Sequence, residues 1–438
     1  MKKTLILCIA LVCFCCLLVF AEGSAEPKSK PASSPSSLSE PVTIQLLHTY
    51  GEGSKKAARD DWFVKFAEKF PNIKLEATRY SLDQANQKLL AAVAAGTPPD
   101  AVSNHYYYFT RYANEGLLEP LDPYFAKDGI DPKSTFFPSA LEISTFNGTL
   151  YTVPQFIYSR ALLYNKDLFK QAGLDPNEPP KTLEELVAYA QKITRWDGSS
   201  LDTAGFQFPR PDEKEHMVNF FIMLVWGQGG DIFNADRSKV TFDSPAGIRA
   251  LQFYADLANK YKVSNLTFGA GAQSAQKPFG RGKAGMIVAG NFDLVFMRET
   301  SKDINFGAAL LPPFAGGKPA SLVDGFGLAM LKTSKHKDAV WQLLKFTAGE
   351  PAQRSFAVLS SNFPALRSAA NDPYFDNDPE MQVFKKSMDV GRAIPPVHDW
   401  TEIQDILANA ISSALNGSTA PDVALKTAAL KVNTEVLR

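Results

Sequence analysis

Strand and helix signals alternate along this chain from Val42 almost to its C-terminus, and that alternation limits the fold more than any other feature. A β-rich run at 42–47 is followed by a helical stripe of Trp62, Phe63, Phe66, Ala67 and Phe70. Residues 73–77 read as the next strand, and 82–95 as a helix stopped by Gly96 and the Pro98-Pro99 pair. A further short strand begins at Asp100. Thr182-Leu-Glu-Glu185 has the pattern of a capping box, in which the Thr hydroxyl serves a free N–H while Glu185 reaches back. Ser244, before Pro245, and Ser334 read as further N-caps ahead of helices at 251–261 and 339–347. Such alternation predicts α/β layers with mainly parallel sheets, and ligand sites in the loops at the carboxyl ends of strands. At 438 residues the chain is about three times a ~150-residue domain, so two domains or lobes are expected.

The first 21 residues explain the cysteines. Lys2 and Lys3 precede an apolar run from Leu5 to Phe20, and Val19-Phe20-Ala21 supplies small residues for cleavage, the layout of a secretory signal peptide. All four cysteines (Cys8, Cys13, Cys15, Cys16) lie inside this run, so cleavage after Ala21 removes disulfide and thiol chemistry together. Lipidation of Cys16 is the competing outcome, although Cys13-Phe14-Cys15 lacks the small residues usual before a lipidated cysteine. The stretch 22–41 is rich in Ser and Pro and reads as a tether. Beyond it, no apolar run approaches the ~20 residues of a membrane span. Lys plus Arg equals Asp plus Glu at 46 each, so no charge excess draws the chain to nucleic acid.

The search for catalytic chemistry is mostly negative. The five histidines include no pair spaced three to five apart, so no HExxH-type metal helix exists, and neither a metal nor a cofactor is expected. There is no GxSxG elbow and no Walker loop. Adjacent carboxylates such as Asp60-Asp61 and Glu184-Glu185 sit where helices start, so capping or solvation explains them better than a glycosidase pair does.

What stands out is aromatic side chains beside turn residues. Asn104-His105-Tyr106-Tyr107-Tyr108-Phe109 follows a short strand, Gly290-Asn291-Phe292-Asp293 follows an apolar run, and Trp400 follows Pro395-Pro396. Recognition of a neutral polyol needs aromatic faces against C–H groups and planar polar groups for the hydroxyls. Tyr107, Tyr108 and Phe109 read as core of a helix starting there. For Phe292 and Trp400, core and binding readings stand level on composition.

Ordered motifs then carry a resemblance. They are Gly96-Thr-Pro-Pro-Asp100, Gly116-Leu-Leu-Glu-Pro-Leu-Asp122, Phe146-Asn-Gly-Thr-Leu-Tyr-Thr-Val-Pro154, Leu163-Tyr-Asn-Lys-Asp-Leu-Phe169, Phe279-Gly-Arg-Gly-Lys-Ala-Gly-Met286 and the 334–346 segment. Together, from about 42 to 432, they make the chain resemble the family-1 extracytoplasmic solute-binding proteins of ABC importers, the maltose-binding-protein-like group. The resemblance implies an α/β, two-lobed periplasmic-binding-protein fold of type II topology. One lobe would be 42–156 plus 307–349 and the other 157–306 plus 350–438, with the 154–164 stretch as first hinge. Carried over, ligand contacts would come from Tyr50, Asn104, His105, Tyr106, Gln155 and Tyr158, with Asp324 on the third segment. Gln228, Asn291, Phe292 and Trp400 would face them, Trp400 as a stacking ring. Phe292 stands where many members have Trp, a departure that bears on the size of the ligand.

The resemblance further implies an exported monomer that binds a sugar in its cleft and delivers it to ABC permease subunits with a separate ATPase. A glycerophosphate ester would need Arg or Lys in the cleft and a polyamine several carboxylates. The site residues just given hold one carboxylate, Asp324, and no Arg or Lys. A secreted carbohydrate-active enzyme is the alternative from another class.

Overall fold

The computed structural model describes residues 40–51, 54–271, 273–397 and 399–437. The expected signal peptide, with Cys16, and all but the end of the expected tether lie outside them. No helix of the described residues is long and apolar enough to cross a membrane.

Eleven strands build two main sheets. They are β1 (Val42–His48), β2 (Ile73–Arg79), β3 (Ala101–His105), β4 (Thr152–Tyr158), β5 (Arg160–Asn165), β6 (Arg195–Asp197), β7 (Ser200–Gln207), β8 (Ala284–Gly290), β9 (Phe306–Ala309), β10 (Asp324–Met330) and β11 (Phe363–Pro364). The first sheet has the order β11-β4-β10-β3-β1-β2 and the second β9-β5-β8-β7-β6. The β1–β2, β1–β3 and β7–β8 pairs are parallel and the others antiparallel, so the expectation of mainly parallel sheets fails. The physical reason is the path of the chain. It leaves the first sheet along β4, enters the second along β5 and returns along β10, so each crossing strand runs against a neighbour already in place.

Only Ser159 separates β4 from β5, which puts the first crossing inside the 154–164 stretch expected to be the hinge. Its backbone N–H donates to Asn291 Oδ1 at 2.9 Å and its hydroxyl to the Phe384 carbonyl at 2.7 Å. Asn291 Nδ2 in turn donates to the Ser361 carbonyl at 2.6 Å, so one side chain staples the first crossing to the segment that leads into β11 of the first sheet. The expected lobe boundaries move. β9, placed in the first lobe by the 307 boundary, pairs with β5 in the second sheet. Residues after 350, placed in the second lobe, begin with the helix Glu350–Ser360, which packs on the helix Ser54–Lys69, and continue into β11 of the first sheet. Sheet pairing decides membership here, and a linear boundary cannot express it.

The local signals mostly translate directly. The helix Leu82–Ala94 ends before Gly96 at φ 73°, a left-handed value that glycine adopts without strain. Thr182 Oγ1 accepts from the Glu185 N–H, while Glu185 reaches back to the Lys181 N–H. Ser334 is not the helix cap; it donates to Asp100, and the helix starts at Lys337 behind His336. In the stripe of the first helix, Trp62 and Phe66 are buried while Ala67 is exposed.

Candidate functional site

Strand register builds one wall of a cavity. β10 lies between β3 and β4, so Phe326 pairs with His105 on one side and with Phe156 on the other, and Asp324 pairs with Tyr158. The ladder shifts between Phe326 and Gly327. A Cβ at Gly327 would stand 2.7 Å from Thr152 Oγ1, so glycine is what lets β10 approach β4 there. Phe326 and Phe356 stack on Phe156 at 5.0 and 4.8 Å between centroids. The hydroxyls of Tyr50 and Ser103 both donate to Gln155 Oε1, at 3.0 and 2.9 Å, which fixes Tyr50 at the edge of this wall.

His105 sits at its centre. Nε2 is 2.6 Å from Asp324 Oδ1 and 2.8 Å from the Tyr158 hydroxyl. A carboxylate oxygen only accepts, so Nε2 carries the hydrogen and the Tyr158 O–H is left to point elsewhere. Nδ1 of His105 is buried without a partner among the described residues. Burial, then the charges of Asp324 and Glu215, push the Tyr158 phenol well above its ordinary value and keep it a donor.

The opposite wall comes from the second sheet and one helix. Arg160 opens β5, and Glu215 and His216 occupy the first turn of the helix Lys214–Trp226. Phe292 follows β8; its ring folds back over Gly290, where a Cβ would stand 2.2 Å from the ring. The Arg160 guanidinium lies 5.1 Å above Phe292 and 5.5 Å from the Tyr158 ring, and 3.4 Å from Glu215 Oε1. Burial, with Arg160 beside it, lowers the His216 pKa to about 3, so this ring is neutral.

Between the walls lies a cavity of about 250 Å3, lined from the first sheet's side by Tyr50, His105, Phe156, Tyr158 and Phe326 and from the other by Arg160, Glu215, His216 and Phe292. It shares Leu82, Glu215 and His216 with a second cavity of about 600 Å3, walled by Tyr107, Tyr108, Asn86, Lys214 and Asp405. A larger cavity of about 830 Å3 lies around Ile157, Phe363, Phe233 and Met388. Its charged rim is paired, Asp231 with Arg392 and Glu142 with Arg237, whereas aromatic rings and polar side chains from both sheets converge on the smaller cavity, which makes it the stronger site.

Four of the expected contact residues therefore line the cavity: Tyr50, His105, Tyr158 and Phe292. Asp324 and Gln155 stand behind them as hydrogen-bonded supports. Asn104 is turned inward to its own helix start, with Oδ1 accepting from the His105 N–H at 2.8 Å. Asn291 is spent on the hinge. Tyr106 is buried against the His105 ring at 4.9 Å and lines neither cavity. Gln228 lies away from the cavity, because it follows the far end of the helix Lys214–Trp226 and donates to the Leu224 and Ala246 carbonyls. Trp400 is 2% exposed, 6.3 Å from Phe233, at the start of the helix Trp400–Leu415; the structure packs it as core and does not bring it to the cavity. Tyr107 and Tyr108, read as core, do wall the second cavity. Arg160, Glu215 and His216 have no local signal in the sequence; only the crossing at Ser159 and the docking of the helix bring them in. His105, Asp324 and Glu215 offer ligand atoms within 4.8 Å of one another, the one group among the described residues with metal-ligand chemistry.

Comparison with known proteins agrees with this architecture. The chain is similar to an ABC transporter extracellular-binding protein of Pyrococcus horikoshii, itself uncharacterized, at 26% identity over 89% of this chain and 86% of the relative. It superposes on an ABC transporter solute-binding protein of Thermotoga lettingae bound to alpha-D-tagatose, with a TM-score of 0.80 and 26% identity over 90% of this chain and 100% of the other. The mannotriose complex of CpMnBP1 gives a TM-score of 0.78 and 27% identity over 89% and 99%. With the family matching residues 48–354, the chain belongs to the bacterial extracellular solute-binding proteins.

Proposed function

We propose that this protein is the solute-binding component of an ABC importer, taking a mono- or oligosaccharide between its two walls and handing it to separate permease and ATPase subunits. One observation carries the reading: aromatic faces and planar polar groups from both sheets converge on one cavity. Ligand contacts made by both walls at once favour the closed arrangement, which is what a permease would recognise. The tagatose and mannotriose bound by the two structural relatives bracket the size range. A cavity of about 250 Å3 suits one sugar ring, and the adjoining cavity of about 600 Å3 would take further units. The binding residues we assign are Tyr50, His105, Tyr158 and Phe292 with Arg160, Glu215 and His216, held by Gln155 and Asp324. Trp400 would join them only through a rearrangement that uncovers it.

Lobe 1 would comprise 42–158, 324–349 and 350–366, and lobe 2 the intervening and remaining residues. The chain would work outside the cytoplasm as a monomer, after removal of 1–21. A phosphate ester is disfavoured, since Arg160, the cationic side chain in the cavity, is already paired with Glu215. A thermal-shift panel of saccharides, with product analysis, tests the reading. Stoichiometric stabilisation, about 2.7 kcal/mol at a hundredfold excess over the dissociation constant, is expected without product. Turnover would favour the enzyme, and no stabilisation by any saccharide would overturn the reading.

A further inference from the structure

The second sheet ends, away from the cavity, in a surface of a different kind. β7 and β8 run parallel, and their C-terminal ends lead to Glu215 and to Phe292 at the cavity. Their N-terminal ends therefore lie at the opposite end of the sheet, with the hairpin that joins β6 to β7 through Gly198, at φ 57°. Of the five tryptophans, Trp62, Trp226, Trp341 and Trp400 are buried. Trp196, one pair back from the tip of this hairpin, is 42% exposed. β6 is the edge of the sheet, but its ladder shifts between Arg195 and Trp196, a bulge that spoils the edge for an added strand. What this edge offers a partner is side chains.

Most of the charged ones are cations. The Ala204 N–H donates to the Lys283 carbonyl, and the Gly205 N–H and the Thr194 hydroxyl both donate to the Val263 carbonyl, so the turns at 260–263 and 281–283 close around the hairpin. Lys192, Arg195, Lys260, Lys262, Arg281 and Lys283 are all exposed there, against the carboxylates of Asp197, Asp202 and Asp256. Asp202 pairs with Lys283 and Asp256 with Lys260. Lys192, Arg195, Lys262 and Arg281 are left without a carboxylate partner among the described residues, a local excess in a chain whose charges balance overall. An exposed indole among unpaired Lys and Arg suits a lipid headgroup layer: the ring seats where water meets acyl chains, and the cations meet phosphates. We propose that this end of the second sheet docks on an anionic membrane surface, with Trp196 at headgroup level and Lys192, Arg195, Lys262 and Arg281 on lipid phosphates. The cavity, at the other end of the sheet, stays open to solute while the protein is docked.

Co-sedimentation with vesicles tests this, using the chain from Glu22 on, because the apolar run at 5–20 would itself enter a bilayer. The compact unit Val42–Arg438 is intact in that chain. Vesicles of phosphatidylglycerol and phosphatidylcholine in equal parts should bind it and shift the Trp196 emission to the blue, whereas phosphatidylcholine alone should do neither. At 1 M salt the Debye length falls to about 3 Å, and the binding should be lost. Trp196→Ala should weaken partitioning about tenfold, and Lys192→Gln with Arg281→Gln about thirtyfold, at about fivefold for each cation. These side chains are exposed, so melting curves should match the parent. Equal binding to both vesicle types, no blue shift, or variants that partition like the parent overturns the proposal. A blue shift with polyglutamate but not with vesicles overturns the lipid assignment and makes this a protein-docking surface.

Discussion

The two walls of the cavity are held in different ways. On the first sheet's side, Tyr50 is fixed through Gln155, His105 through Asp324, and Phe326, Phe156 and Phe356 form one stack across strand register. On the other side, Glu215 and His216 ride on the first turn of a helix, Phe292 sits in the turn after β8, and the Arg160 guanidinium meets Glu215 at 3.4 Å and two rings. One wall is preorganised by a ladder that cannot slip without turning every side chain over. The other brings charge on the first turn of a helix and on the residue that opens β5. Shape is therefore set mainly by the first wall and charge by the second.

The sharpest challenge to this division is Trp400, which belongs to neither wall. Trp400→Ala should cost about 3–5 kcal/mol of folding stability, read from denaturant melts, with little change in the dissociation constant. A stable variant that has lost binding would show that a third element completes the site.

Acid should strike the first wall. His48 stacks on Tyr50 at 5.0 Å, and burial, then Arg59 and Arg79, lower its pKa from 6.5 to about 4. The unfolded chain then binds more protons between these values, so the contribution is intact above about pH 6.5 and is lost as pH falls toward about 4. The loss should reach roughly 2–3 kcal/mol, seen as a falling melting temperature that His48→Gln flattens. A variant with the same profile as the parent would remove His48 from the explanation.

Gln155→Leu should cost about 1–3 kcal/mol, because it strands the buried Tyr50 and Ser103 hydroxyls. Binding should weaken with it, since Tyr50 loses its anchor; unchanged affinity would mean that the first wall is not preorganised through this residue. The smallest effect is expected at Phe292→Ala, about 1 kcal/mol in affinity with the melting temperature nearly unchanged, as the ring is only half-buried and packs edge-on to Tyr158 at 4.9 Å. A large stability loss there would make the second wall as rigid as the first.

Much of the first wall was legible in the sequence, and almost none of the second. Tyr50, His105 and Tyr158 came through the family resemblance, and they lie at or just beyond the ends of strands, where side chains and loops emerge into clefts. Arg160 is one residue beyond the hinge serine, and Glu215 and His216 sit among charged helix-start residues that look solvated in isolation. Gln228 and Trp400 show the converse. Each has the right residue type beside a turn, and each is consumed locally, Gln228 by carbonyls of its own helix and of Ala246 and Trp400 by packing against Phe233.

By itself the sequence determined the elements: the β-branched runs, the helical stripes, the glycine and proline stops, and an aromatic-rich surface suited to small polar ligands. These are properties of periods and caps within a dozen residues, which the local chain decides. Only the tertiary structure decided which strands pair, that β9 joins the second sheet, that the crossing strands run antiparallel, and that Arg160, Glu215 and His216 meet the first sheet's aromatic rings at one cavity. Those outcomes depend on contacts between segments more than 50 residues apart, such as Arg160 with Glu215, and on register across the hinge, neither of which any single segment encodes.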